Sequence, residues 1–521
     1  MHPETRPLMR PLLFLPLVLF SGCERHEAVQ ATPEATPEVV IEVPAGPVAG
    51  PKDLLDSVVR ISTTQQAWNQ GEPWQKSSPA SRRSLGAIVG DQLVLTTSEM
   101  AADATYIEFE SSDGKRTAPA KVVAVDYEAN LALLGPGSED DAKFFEGTEP
   151  LEIAEPPKPG DILEILQLET NGTPLVTAGN VQSIDVVSNF LPGQFFLTYE
   201  VKASMQSAAN SFSLPVLRDN KLAGILTNYN SKDQISDVTA TDIIARFVQE
   251  AKDGEYAGFP SLGIATARTD DRNFRQWLKL PEDDGGLYVS SVRVGSAAEK
   301  AGLKKGDVIV AVDGHEIDRL GYFDDDHYGR LYWSHLVRGA KASGDQVALK
   351  ILRDGEGLEV EAVLDRRDAD DQLVPDYVFG KAPSYLVKGG LIFQELTRPL
   401  LEAYGKEWQS RAPLNLLDVY ENPEKYESKF RRVVFLSNVI PTPATVGYEP
   451  LRNLIVSQVN GQEIKDMQSL IDAFDKPGPE GMHRIEFKDE KFPVFLDEVV
   501  STGVDGQLMQ RGLNRLSRAE K

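Results

Sequence analysis

Apolar and polar residues alternate in short runs over the first half of the chain. Between positions 53 and about 245 these runs are SVVRIST (57–63), SLGAIVGDQLVLTT (84–97), TYIEFESSDGK (105–115), AKVVAVD (120–126), NLALLG (130–135), DILEILQL (161–168), QFFLTYEV (194–201) and KLAGILTNY (221–229). Alternation over such lengths is the period of a half-buried strand, and close-spaced strands with turns between them predict a barrel or sandwich. At VTATDIIARFVQEAK (238–252) the period changes to that of an amphipathic helix, which predicts a closing helix.

A second unit begins near 259, around GGLYVSSVRVGSAAEKAGLKKGDVIVAVDGHEI (285–317). It reads as strand, short helix, strand and a tight turn at Asp313–Gly314, with QVALKILRDG and EVEAVLD (346–365) as a closing hairpin. The mixed acidic and aromatic stretch 318–335 reads as a surface loop or helix inserted into this unit; its His327 and His335 match no standard metal-ligand spacing. A third unit contains GGLIFQEL (389–396), RRVVFLSNVI (431–440), NLIVSQVNGQEI (453–464), DMQSLIDAFD (466–475) and FPVFLD (492–497). Its VNGQEI echoes VDGHEI of the second unit, a short internal repeat. The tail, 501–521, is predicted to be helical and solvent-facing.

The N-terminus follows other rules. Arg6 and Arg10 precede PLLFLPLVLF (11–20), an apolar run too short to span a bilayer, and Ser21, Gly22 and Cys23 follow. That is the layout of a secretory signal. Its FSGC ending resembles a bacterial lipobox, which implies cleavage before Cys23, the only cysteine, and lipid attachment to its sulfur. Residues 24–50, with the direct repeat ATPEATPE, are a semi-extended tether. The chain carries 54 basic and 79 acidic side chains, a formal net charge of −25, which disfavours nucleic-acid partners. Nothing in the sequence asks for a cofactor or a metal.

The stretch 84–134 and AANSFSLPVLRDNKLAGILT (208–227) resemble the first barrel and the nucleophile region of the HtrA/Deg family; 261–317 resembles a PDZ domain, and GGLIFQELT with VNGQEI resembles the divergent second PDZ domain of plant-type Deg proteins. The resemblance implies a mainly β chain: a trypsin-like double β-barrel followed by two α+β PDZ domains. The organisation it implies is signal peptide 1–22, tether 23–52, barrels 53–252, first PDZ domain 257–367, second PDZ domain 375–500 and tail 501–521.

The same resemblance puts Glu99 at the position of the catalytic histidine, Asn130 at that of the aspartate and Ser211 at that of the nucleophile. Around Ser211 the family's Gly-Asn-Ser-Gly-Gly becomes Ala209, Asn210, Ser211, Phe212 and Ser213. A serine hydroxyl needs an adjacent base, and the usual base is an imidazole oriented by a carboxylate. No histidine occurs between residues 27 and 314, so no shift of alignment supplies one. The expectation is an inactive protease fold, leaning away from an enzyme. The rival readings are a serine endopeptidase built on Ser211 and Glu99, and a purely structural lipoprotein.

PDZ domains take an extended chain as an added strand. The resemblance puts the carboxylate loop of the first at Ser261, Leu262, Gly263, Ile264 and Ala265, and a similar loop in the second at Gly389, Gly390 and Leu391, where an assembly role is favoured over free ligand. The implied partners are polypeptide C-termini or unfolded segments, an active HtrA/Deg paralogue, copies of the same chain in trimers or multiples, and a membrane reached through the lipid. The implied location is the bacterial envelope facing the periplasm, at the outer rather than the inner membrane.

Overall fold

The computed structural model describes residues 54–188, 190–205, 213–252, 254–281, 285–366 and 369–519. Cys23, the tether and Ser211 therefore lie outside the described residues. The first barrel closes antiparallel through Val58–Gln65, Ala80–Gly90, Leu93–Thr96, Leu131–Pro136, Thr117–Asp126 and Ala104–Ser111 in that spatial order. The second closes the same way through Leu214–Arg218, Lys221–Asn230, Ile235–Thr239, Phe195–Lys202, Pro174–Ser188 and Ile162–Leu168. Closure leaves no free strand edge in either barrel. The alternation in the sequence becomes the inside and outside of the barrels: Ile61, Ile88, Val94, Phe109 and Leu134 fill the first. The helix Thr241–Ala251 buries Ile243, Ile244 and Phe247.

The first PDZ unit is a sheet in the order Ile264–Ala267, Leu287–Val292, Val308–Val312, Gln346–Arg353 and Glu356–Val363. Stretch 318–335, expected as a surface loop or helix, is instead a hairpin, Tyr322–Asp325 with Gly329–Tyr332, followed by the helix His335–Arg338. Its large apolar residues are the reason. Phe323, Tyr328, Leu331 and Trp333 are all buried, and they join one apolar cluster that runs from the second barrel into the PDZ unit. Tyr328 Oη donates to Asp242 Oδ2 of the barrel helix at 2.6 Å. Burial pushes the His335 imidazole below its ordinary value, against the pull of Asp242 and Asp325.

The third unit repeats this sheet as Leu391–Glu395, Val434–Val439, Leu454–Val459, Met482–Phe487 and Val494–Asp497, then extends it beyond Leu391–Glu395 by Tyr385–Lys388 and Ser517–Arg518. Of the tail 501–521, expected to be solvent-facing, the described residues 501–519 are correspondingly part of the unit. The helix Glu498–Gln510 buries Ser501, Val504 and Asp505, and Ser517–Arg518 pairs with Tyr385–Leu386.

Barrels and first PDZ unit are clamped at one buried carboxylate. Asp126, 1% exposed, accepts from Arg366 Nη1 at 3.0 Å and from Tyr256 Oη at 2.9 Å. Arg338 adds an ion pair with Glu128, and its guanidinium lies 4.6 Å from the centre of the Phe196 ring. Removing one partner of a buried pair leaves the other charge uncompensated, at a cost of about 3–5 kcal/mol. Asp126→Ala should therefore lower unfolding stability by about 3 kcal/mol or more in urea titrations of the full chain. A loss below about 0.5 kcal/mol, the range of ordinary surface changes, would remove Asp126 from this role.

Candidate functional site

The strand Leu93–Thr96 ends in a single short turn, Ser98–Met100, that carries Glu99. Asn130 stands in the tight turn before Leu131–Pro136, at φ +56°. The fold brings the two together: Asn130 Nδ2 donates to Glu99 Oε1 at 3.3 Å, and Ser98 Oγ donates to Asn130 Oδ1 at 3.0 Å. The second carboxylate oxygen of Glu99 accepts from Arg82 Nη1 at 3.1 Å. Gln65 Nε2 donates to the Glu99 backbone carbonyl. Arg82 and Gln65 escaped the sequence reading, because they reach Glu99 across neighbouring strands, at separations that leave no local pattern.

Ser213 stands where the resembling motif has its last glycine, and it keeps the glycine-like backbone, φ +56°. Its fully buried hydroxyl shares a 2.7 Å hydrogen bond with Thr96 Oγ1 and accepts from the Thr97 N–H at 3.2 Å. Leu85 N–H donates to its carbonyl at 3.2 Å. Ser213 thus ties the start of a second-barrel strand to the first-barrel strand that presents Glu99. Each oxygen of the Glu99 carboxylate thus accepts one hydrogen bond, from Asn130 and from Arg82. Ser211 lies outside the described residues.

The second candidate region is in the first PDZ unit. The strand Ile264–Ala267 pairs only with Leu287–Val292, leaving its outer edge unpaired among the described residues. Beside that edge is a cavity of about 660 Å³. Ser261, Leu262, Gly263, Ile264 and Ala265 all line it, as do Val337 and Arg338 of the short helix and Gln194 and Phe195 of the barrel. The loop is pinned from behind: Ala298 N–H donates to the Leu262 carbonyl at 3.0 Å and Arg293 N–H to the Gly263 carbonyl at 2.9 Å. Gly263 is required twice over. Its φ is +73°, and a Cβ there would fall 2.4 Å from Ser296 Cβ. The barrel residues in this wall had no sequence signal, since they arrive only through docking.

In the third unit the structure corrects the expectation of a similar loop, because among the described residues the matching edge is filled. Gly389 and Gly390 form the turn joining Tyr385–Lys388 to Leu391–Glu395, so the strand containing Leu391 has its edge filled by the chain itself. The Gly389 N–H, a donor that a bound peptide carboxylate would use, donates to Asp505 Oδ1 at 2.6 Å. Burial pushes the Asp505 carboxyl above its ordinary value, against the Gly389 N–H and Lys388, whose Nζ is 3.4 Å away.

Two closed six-stranded barrels in tandem, followed by PDZ domains, make a trypsin-like double barrel with PDZ domains, an architecture similar to that of HtrA/Deg-type proteases. PDZ-domain families match residues 260–364 and 374–511. The chain is similar to "Protease Do-like 2, chloroplastic" of Arabidopsis thaliana, with 29% identity over 430 residues, 81% of this chain and 68% of that one. It is similar to "Probable periplasmic serine endoprotease DegP-like" of Hahella chejuensis, with 22% identity over 419 residues, 78% of each chain. Among solved structures it is similar to "HtrA-type protease AlgW with decapeptide", at 18% identity and a TM-score of 0.46, covering 61% of this chain and 97% of that one.

Replacing Ser213 separates its hydroxyl from its backbone. Ser213→Gly keeps the left-handed conformation but leaves Thr96 Oγ1 and Thr97 N–H unpaired, a loss of about 1–3 kcal/mol. Ser213→Ala loses the same bonds and keeps the left-handed cost of a Cβ, about 1 kcal/mol, which Ser213→Gly relieves, so it should be the less stable variant. Urea unfolding of both checks the order; a Ser213→Ala protein as stable as the parent would contradict it.

Proposed function

We propose that this chain is a non-cleaving protein of the HtrA/Deg type that binds polypeptide segments through the groove of its first PDZ domain. The observation that carries the reading is the unpaired edge of Ile264–Ala267 beside the cavity formed by the 261–265 loop. An extended C-terminal segment added there gains main-chain hydrogen bonds, and its carboxylate gains charge-assisted ones from the loop. The barrel supplies a wall of the groove. It lacks any histidine from 27 to 314, and Glu99 at the base position is held by Arg82 and Asn130.

Lipid on Cys23 anchors the chain in the bacterial envelope, facing the periplasm and at the outer membrane, and the tether holds the folded part off the surface. There it serves protein quality control as a scaffold or chaperone, in trimers or larger assemblies of itself or with an active paralogue. The third unit, with its edge filled, serves assembly.

The test is fluorescence anisotropy of a panel of C-terminal peptides against the full chain. At least one sequence should bind saturably, and its C-terminal amide should bind about tenfold or more weakly, the scale of a hydrogen bond to a charged group. Gly263→Ala should abolish binding while leaving the barrels folded. A panel with no saturable binder would instead favour the purely structural reading.

A further inference from the structure

The segment joining the two PDZ domains is packed into the barrels. The Phe379 ring centre lies 4.6 Å from that of Tyr127 and 5.6 Å from that of Phe190. Tyr377 lies 5.5 Å from Tyr127 and 5.7 Å from Phe379. Tyr127 belongs to the first barrel, three residues before Asn130; Phe190 belongs to the second, in the turn between Pro174–Ser188 and Phe195–Lys202. The Gly380 N–H donates to Asp103 Oδ1 at 2.9 Å, and Asp103 follows Glu99 by four residues. The segment therefore crosses the seam between the barrels at the rim that carries Glu99 and Asn130. It is held from outside as well, since the Asp376 carboxylate accepts from Tyr420 Oη at 3.4 Å and lies 3.8 Å from Arg398 Nη1.

We propose that Tyr377–Gly380 is a built-in occupant of this cleft between the barrels, holding it closed to any other extended segment. The occupant also identifies the chemistry the cleft takes. Side chains two residues apart fall on one side of an extended chain. Tyr377 and Phe379 have that spacing, and both meet Tyr127. Gly380 then turns at φ +67° and presents its N–H to Asp103. The ligand class is an extended segment reading aromatic–any–aromatic–glycine, and a foreign segment of that kind competes with the linker for one place. The cleft uses Tyr127, Phe190 and Asp103, and none of these lines the first PDZ groove, so the two sites can fail independently.

The probe is a fluorescein-labelled peptide PDYVFGKA, the sequence of residues 375–382, with an amidated C-terminus that denies the PDZ groove its carboxylate. Full-length protein should show no saturable binding, because the linker holds the site. The double variant Tyr377→Ala/Phe379→Ala should bind it saturably, and adding Tyr127→Ala should weaken that binding about tenfold or more, the loss expected of an aromatic contact in a packed site. A folded double variant that ignores the peptide, or binds it equally well with Tyr127→Ala, overturns the proposal. Asp103→Gly is the second variant, should the double variant not fold. It removes only the acceptor, at a backbone angle (φ +51°) that glycine adopts freely. Chymotrypsin should then cut after Tyr377 and Phe379 about tenfold faster, the equivalent of one charge-assisted hydrogen bond. An unchanged cleavage rate would overturn the proposal equally.

Discussion

A carboxylate taken out of water must be met by opposite charge and by donors, and Asp126 is where this chain satisfies that requirement across a domain boundary. Its partners come from different places: Tyr256 from the connection after the barrel helix, and Arg366 from the far end of the first PDZ sheet. Meeting that need draws the PDZ domain onto the barrels, and the hairpin and the short helix then bury their aromatic surface there. Because Arg366 lies just before the connection to the third unit, the same contact sets the point from which that connection runs toward Tyr127. The wall that barrel residues give the peptide groove, and the path of the linker over the seam, both follow from this one clamp.

Strand edges explain much of the remaining architecture. The barrels close and leave none. The third unit fills the edge of Leu391–Glu395 with its own Tyr385–Lys388 and then with Ser517–Arg518. The corresponding strand of the first PDZ domain keeps its outer edge unpaired among the described residues. Two domains with the same sheet order thus differ in the property that decides whether a sheet can take a peptide. That difference comes from a short added strand, while the core pattern is shared.

The barrels and the PDZ strands were legible in the sequence, because alternation and turn residues are local and one side of each strand must be buried. The pair Glu99 and Asn130 was legible as well, since both stand at fixed positions next to strands that match block by block. Other features were not. Stretch 318–335 mixes aspartates with aromatics, and composition alone does not tell a docked hairpin from an exposed loop; only the surface of the second barrel settles it. Gly389 and Gly390 suit a carboxylate loop and a hairpin turn equally, and the choice depends on Tyr385–Lys388 folding back. Arg82 and Ser213 act across strand neighbours and across the barrel boundary, where sequence distance carries no information.

The proposed function requires that Ser211 have no base to activate it. Fluorophosphonate labelling of the full chain tests it most directly, scanned from about pH 4 to pH 8 to cover the range in which a buried glutamate could act as base. No labelling is expected at any pH, for the parent chain and for Ser211→Ala and Glu99→Gln alike. Labelling that is present in the parent and lost in both variants would contradict it, and would make this chain a serine hydrolase working from Ser211 and Glu99.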